Sequence, residues 1–336
     1  MFCRLWNSKQ RSQIKSIKID VGSRAICYSP DGNFIAVGFG SDRKTKGKLP
    51  AKEGAFVILK SNDLKIVHEG KDSNNFIRVV KYSPDMKTFA VGSDDTFIYL
   101  YDVKDQYTKR VVLKCHAAPI YSIDFSIESS YLMTVDSTKR ICYSDNSNGI
   151  HIPTASLLRD EKWSTLTSPV SWSVKGFWLS QPKGSEITTA QKSWGGSLIA
   201  VGNSAGNIFM AHNPCPYRSG FLKCSGHAGK ISQIIWTAGD VGLVSTGLDD
   251  HTILQWRCVF DNSRESGDEG GNSCDDSEID IDTGHQPKLN EVFLNPTKER
   301  DPIKWLTMIA PPSTLIKDNE SPLTTDLSID VIYIFL

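Results

Sequence analysis

Four residues late in the chain have the types and spacing for a relay of hydrogen bonds: His227, Thr246, Asp250 and Trp256. A neutral imidazole has one donor and one acceptor nitrogen, and a carboxylate only accepts. A hydroxyl does both, and an indole N–H only donates. The spacing predicts that Asp250 accepts from the His227 ring, and that the ring reaches the Thr246 hydroxyl and through it the Trp256 indole. A buried relay of this kind is stable only when every member is paired. We read it as a lock that stabilises structure, not as a catalytic triad.

The lock needs strands to hold it. Within residues 226–256 a Gly-His pair is followed by an apolar run at 231–236, a loop with Gly239 and a small-residue run at 243–247. An Asp-Asp turn and a last run at 252–256 close the stretch. That pattern is the signature of one four-stranded propeller blade. Earlier segments repeat it. Residues 25–28, 34–38 and 55–59 form one repeat, with Ser29-Pro30-Asp31-Gly32 as turn chemistry between the first two strands. The frame returns at 79–82, 89–92 and 97–101, at 120–125, 131–134 and 141–145, and at 188–190, 198–202 and 207–211. The register is kept in the steps Gly92 to Ile98, Gly202 to Ile208 and Gly247 to Ile253. Trp6 and Trp256 keep the closing Trp, whereas Tyr101, Ser144 and Ala211 take its place elsewhere. Blades without it are predicted to rely on apolar packing rather than on the polar relay.

The fold class predicted is therefore all-β, a WD40-type β-propeller of about five recognisable blades, incomplete, with a disordered acidic tail. Residues 1–21 read as the closing strand of a truncated blade plus a connector, and 22–259 as the blades. Residues 260–300 read as an acidic disordered linker, and 301–336 as a linker and the possible start of a further module. Residues 261–282 hold nine acids and only Arg264, a composition too poor in large apolar groups to pack. A calcium site there is disfavoured, because the spaced ligands and central glycine of an EF-hand loop are missing. Five blades and a stray strand predict an open arc with unpaired edges, prone to aggregate.

Composition narrows the function. The 336 residues are 39% hydrophobic with a formal net charge of zero, so the chain can bury a large core and shows no overall pull toward polyanions. Residues 1–60 nevertheless carry twelve cations against four acids. Five of the cations, Arg43, Lys44, Lys46, Lys48 and Lys52, sit in an insertion between Gly40 and Gly54. The loop reads either as a solvated hairpin tip or as a contact for an acidic partner. A second insertion, residues 159–184, contains Trp163, Trp172 and Trp178. It is predicted to pack as an ordered element, with an exposed aromatic patch as the alternative.

Eight cysteines without a C-x-x-C pair read as reduced thiols of an intracellular protein. No metal or cofactor site is predicted, and no catalytic residue. The metalloprotease, nucleophile-elbow, P-loop and dinucleotide-binding motifs are all missing. No signal peptide, membrane span or groove-reading motif is evident, so neither membrane nor nucleic acid is an expected partner.

Several idiosyncratic segments carry a family resemblance. Residues 89–102 (FAVGSDDTFIYLYD) and 159–165 (RDEKWST) resemble strand-pair and RDxEWAT segments of the echinoderm microtubule-associated protein-like (EMAP-like) WD-repeat family. Gly176-Phe177-Trp178 with residues 184–187, Asn213-Pro214-Cys215, and the blade at 226–257 are similar to further segments of that family. Ser144 departs from the family's Trp, and the Asp-Gly-Thr-Asp of the family is eroded at 184–187. The family's HELP motif, coiled coil and basic targeting region are not found, which predicts a truncated product or one segment of a longer protein.

The resemblance implies a cytoplasmic, cytoskeletal protein that binds tubulin or microtubules, with the propeller as a rigid platform. Because tubulin's surface is acidic, Arg43, Lys44, Lys46, Lys48 and Lys52 are the expected contacts. The alternative is a generic WD-repeat scaffold that grips other proteins without meeting tubulin.

Overall fold

A strand covered on both faces reads as an unbroken apolar run, whereas one with a wet face alternates. The second strand of the first four repeats is mostly apolar, and in the computed structural model it is buried along nearly its whole length. The structure describes residues 2–7, 12–19, 22–40, 52–181, 184–217, 220–260, 306–309 and 332–335. They fall into two compact units, Met1–Ser171 with Ser321–Leu336, and Trp172–Glu320.

In the first unit β1 (Phe2–Asn7) and β2 (Ser12–Lys18) form an antiparallel pair. The first blade follows, β3 (Ser23–Tyr28), β4 (Phe34–Phe39), β5 (Ala55–Lys60) and β6 (Ile66–Lys71). The second is β7 (Ile77–Tyr82), β8 (Thr88–Ser93), β9 (Ile98–Asp102) and β10 (Thr108–Leu113). The third is β11 (Ile120–Phe125), β12 (Tyr131–Asp136), β13 (Ile141–Asp145) and the short β14 (His151–Ile152).

The second unit opens with a short helix, α1 (Lys175–Leu179). Its first blade is β15 (Ile187–Lys192), β16 (Leu198–Asn203), β17 (Asn207–His212) and β18 (Leu222–Ser225). Its second is β19 (Ile231–Trp236), β20 (Gly242–Gly247), β21 (Ile253–Phe260) and β22 (Leu306–Ile309). The last strand, β23 (Ile332–Phe335), belongs to the first unit. All five blades are four-stranded antiparallel meanders, as expected for a WD40-type propeller.

Three devices recur. Each first-to-second strand pair shifts register after its opening residue, between Ser23 and Ala25, Ile77 and Val79, Ile120 and Ser122, Ile187 and Thr189, and Ile231 and Gln233. A bulge at that point sharpens the local twist. The turn that follows is closed by a buried serine. Its hydroxyl accepts the backbone N–H five residues on, as Ser29 does from Phe34, Ser83 from Thr88, Ser126 from Tyr131 and Ser193 from Leu198. The third device joins blades. A Cβ on Gly38 would lie 2.4 Å from Ile77, one on Gly92 would lie 2.8 Å from Ile120, and one on Gly202 would lie 2.7 Å from Ile231. In each case the glycine of one blade receives the isoleucine that opens the next.

The strand at 2–7 sits at the centre of a three-stranded sheet between β2 and β23. Within residues 301–336, Leu306–Ile309 is the fourth strand of the last blade and pairs with Arg257–Phe260. Short apolar runs such as these gain an extended conformation from a partner edge, which local sequence does not reveal. The acidic stretch at 261–282 lies outside the described residues.

Candidate functional site

The relay in the last blade is assembled by β20, β21 and the connections around them. His227 Nδ1 lies 3.0 Å from Asp250 Oδ2, and its Nε2 lies 2.8 Å from a serine hydroxyl, that of Ser245. Trp256 Nε1 donates to the same Ser245 Oγ at 2.8 Å. The donor order is unique for a neutral imidazole. Trp256 N–H donates to Ser245, Ser245 O–H to Nε2, and Nδ1–H to the carboxylate.

The hydroxyl is therefore that of Ser245 and not that of Thr246. Successive strand residues point to opposite faces, so Thr246 turns away and meets Ser232 Oγ at 2.7 Å. The order Asp–His–Ser resembles a hydrolytic triad, but Ser245 is fully buried and its oxygen is already occupied by the indole. No substrate can reach it. Burial alone would raise the Asp250 pKa. Hydrogen bonds from the Thr252 and Ala228 backbone and from His227 and Thr252 outweigh it and hold the group at about 2.

Blades lacking the Trp are not reduced to apolar packing. In the third, His116 Nδ1 lies 3.0 Å from Asp136 Oδ2 and Nε2 lies 2.8 Å from Thr134 Oγ1. The Trp position is Ser144, whose buried hydroxyl has no hydrogen-bond partner. Burial disfavours the His116 imidazolium, but contacts with Cys142 and Asp136 outweigh it and raise the pKa. Beside it, a hydrogen bond from Cys142 lowers the Cys115 thiol to about 7, while Cys142 itself is raised. In the second blade Ser73, Ser93, Asp95 and Tyr99 form another relay, with Ser73 Oγ 2.7 Å from Ser93 Oγ and Tyr99 donating to Asp95 at 2.8 Å. Ser73 thus takes the histidine position in this blade, while Tyr99 stands two residues before Tyr101, which holds the Trp position and donates to Asp72 at 3.0 Å.

The two glycines that flank the cationic stretch are described. A Cβ on Gly40 would lie 2.1 Å from Phe76, and one on Gly54, at φ +75°, would lie 2.3 Å from the Ser73 carbonyl. Both ends are pressed against residues 73–76, where only glycine fits. Arg43, Lys44, Lys46 and Lys48 lie outside the described residues. Lys52 lies 3.8 Å from Glu69, with both side chains half-exposed.

The tryptophan-bearing connection divides. Trp163 is half-buried, packs at a tilt against Tyr143 with ring centroids 5.9 Å apart, and bridges to Ser126. It is held there by Asp124, a fully buried carboxylate that accepts from Thr165 Oγ1 at 2.6 Å and from Thr167 N at 2.9 Å. Asp124 drew no attention in the sequence, although an acid in an otherwise apolar strand is a usable signal. Trp178 is half-buried on α1, and Trp172 is exposed. The connection therefore packs at two of its three indoles.

Comparison with known proteins follows this geometry. Residues 1–258 match the family described as the echinoderm microtubule-associated protein second beta-propeller. The chain is 29% identical over 262 residues to "Echinoderm microtubule-associated protein-like 2" of Homo sapiens, covering 76% of this chain and 38% of that protein. It is 27% identical over 260 residues to the "77 kDa echinoderm microtubule-associated protein" of Lytechinus variegatus, covering 76% and 37% respectively. Among solved structures it is similar to the Cps50 (Swd1) β-propeller domain of Myceliophteria thermophila, with TM-score 0.47 and 12% identity, covering 75% of this chain and 71% of that one. The chain spans well under half the length of the two relatives that share its repeats. With 258 of its 336 residues matched by one propeller of one family, the chain belongs to the echinoderm microtubule-associated protein family.

Proposed function

We propose that this chain serves in a microtubule-associated WD-repeat protein of the cytoplasm and cytoskeleton, binding tubulin or microtubules. The observation that carries the reading is the family match over residues 1–258, together with relatives that are named as microtubule-associated proteins. The blades supply a rigid platform, and the buried relays of the second, third and last blades hold strands together. The working surface is then outside, and the cations Arg43, Lys44, Lys46, Lys48 and Lys52 are the proposed contact with an acidic partner. Gly40 and Gly54 support this by clamping the ends of that loop to one place on the first unit. Contacts between exposed charges are screened by salt, which gives the proposal its signature.

The test is cosedimentation of the 336-residue chain with taxol-stabilised microtubules at low and high ionic strength. Pelleting at low salt that falls at high salt, and that is lost when Arg43, Lys44, Lys46 and Lys48 are changed together to Glu, is the expected result. A chain that stays in the supernatant at low salt would reject tubulin binding and favour a general protein-interaction scaffold.

A further inference from the structure

The third blade contains a grouping that the structural relay does not require. Cys115 and His116 stand between β10 and β11, and Cys142 stands on β13, where it pairs with Thr134 of β12. The two sulfurs and a ring nitrogen of His116 all lie within 4.8 Å of one another. Ligand atoms around a tetrahedral zinc are separated by about 3.3–3.8 Å, as bond lengths of 2.3 Å to sulfur and 2.0–2.1 Å to nitrogen require. The cluster is thus within a small side-chain adjustment of a coordination shell. We propose that Cys115, His116 and Cys142 bind a single soft cation, zinc(II) or copper(I).

The chemistry of the set is selective. Two thiolates and one imidazole suit zinc and cuprous ions and exclude the hard cations that prefer oxygen. The Asp136 carboxylate already holds Nδ1 of His116, which fixes the tautomer with its lone pair on Nε2. A carboxylate behind a ligating histidine is the usual outer partner of such sites. Nε2 now faces the Thr134 hydroxyl, and binding exchanges that hydrogen bond for a metal bond. Thr134 keeps an acceptor in the Cys142 carbonyl at 3.3 Å. Binding releases the protons that the two thiols still carry. Cys142 and His116 are buried, while Cys115 is partly exposed and gives the ion a way in.

The last blade provides an internal comparison. There the residue before the histidine is Gly226, and the strand partner of the relay hydroxyl, Ser245, is Leu254. A Cβ on Gly226 would lie 2.9 Å from Leu254 and from Trp256, so glycine, leucine and indole fill that flank. In the third blade the same three positions are Cys115, Cys142 and Ser144. The apolar flank has become two thiols, and the indole has become a hydroxyl left without a partner. A metal bond between the loop and β13 would replace the missing tie from the closing strand.

The test uses the whole 336-residue chain, purified reduced and anaerobically and stripped with chelator. Cobalt(II) serves as the spectroscopic probe for zinc, and competition against bathocuproine disulfonate measures copper(I). One arm or the other should show one ion per chain. Cobalt should also give a thiolate charge-transfer band, absent in Cys115→Ser and Cys142→Ser but kept in Cys27→Ser. Asp136→Asn should weaken binding by about 10–100-fold. The ion that binds should raise the melting temperature of the parent and leave that of Cys115→Ser unmoved. If Cys142→Ser fails to fold, Cys115→Ser still decides, because its side chain lies in a partly exposed loop. Failure to bind either ion at one equivalent would overturn the proposal. So would binding that survives in Cys115→Ser, or a Cys115–Cys142 disulfide in the freshly reduced protein that reforms without metal.

Discussion

At the scale of single residues, the relay in the last blade shows why a hydroxyl one position away is not equivalent. Ser245 bridges His227 and Trp256, so truncating it orphans a buried indole N–H and an imidazole nitrogen. Ser245→Ala should cost about 2–3 kcal/mol, because unmet buried groups keep their desolvation penalty. Thr246→Val, on the other face, should stay within about 0.5 kcal/mol. Urea midpoints for the two variants measure the contrast, and equal losses would reject the assignment of Ser245. Asp250 carries a pH prediction. Its folded pKa is depressed from 3.8 to about 2, so its contribution is fully present above the unfolded value and is lost as pH falls toward the folded one. Stability should drop between about pH 4 and pH 2, and Asp250→Asn should flatten that limb in chemical denaturation at stepped pH. Most of this relay was legible from residue types at their spacing. The choice between Ser245 and Thr246 was not, because face is set by strand register, and register by pairing with β21.

At the scale of elements, each blade is completed by its neighbour. The repeating glycine of the second strand marks a step in the repeat, but only the structure shows what it makes room for. Gly92 lies against Val79 of its own blade and Ile120 of the next. Gly92→Val should destabilise the first unit by about 1–3 kcal/mol through overpacking. Ile120→Ala in the same chain should recover part of the loss, a coupling that a double-mutant cycle detects. The connection after the third blade is held by charge rather than by its indoles alone. Asp124→Ala should cost about 3 kcal/mol, since its oxygens answer Thr165 and Thr167 from a fully buried position. Loss of Trp163 fluorescence shift before global unfolding would report detachment of that segment. The sequence marked the connection as ordered through its aromatics. The acid that anchors it lies some forty residues earlier, beyond the reach of local pattern.

At the scale of the molecule, the two terminal strands pair with parts of the chain distant in sequence, one in the three-stranded sheet and one in the last blade. Pairing of β23 with Phe2–Leu5 and of β22 with Arg257–Phe260 leaves those edges covered. Removing residues 261–336 should speed amide exchange at both edges and leave β8 and β16 unchanged, because exchange follows local opening. Uniform protection in the truncated chain would contradict the pairing. The cosedimentation experiment belongs to this scale too, since surface charge acts on a partner as a whole and fades with ionic strength.

By itself the sequence determined the repeat, the strand type, the turn chemistry and the family, because these are written in residue choices that act locally or recur in register. Tertiary structure decided which hydroxyl joins the relay, which side chains form a polar relay in the second blade, and where the last strands pair. It also brought Cys115, His116 and Cys142 together. Those outcomes depend on side chains from separate strands meeting in space, and separation along the chain carries no record of that meeting.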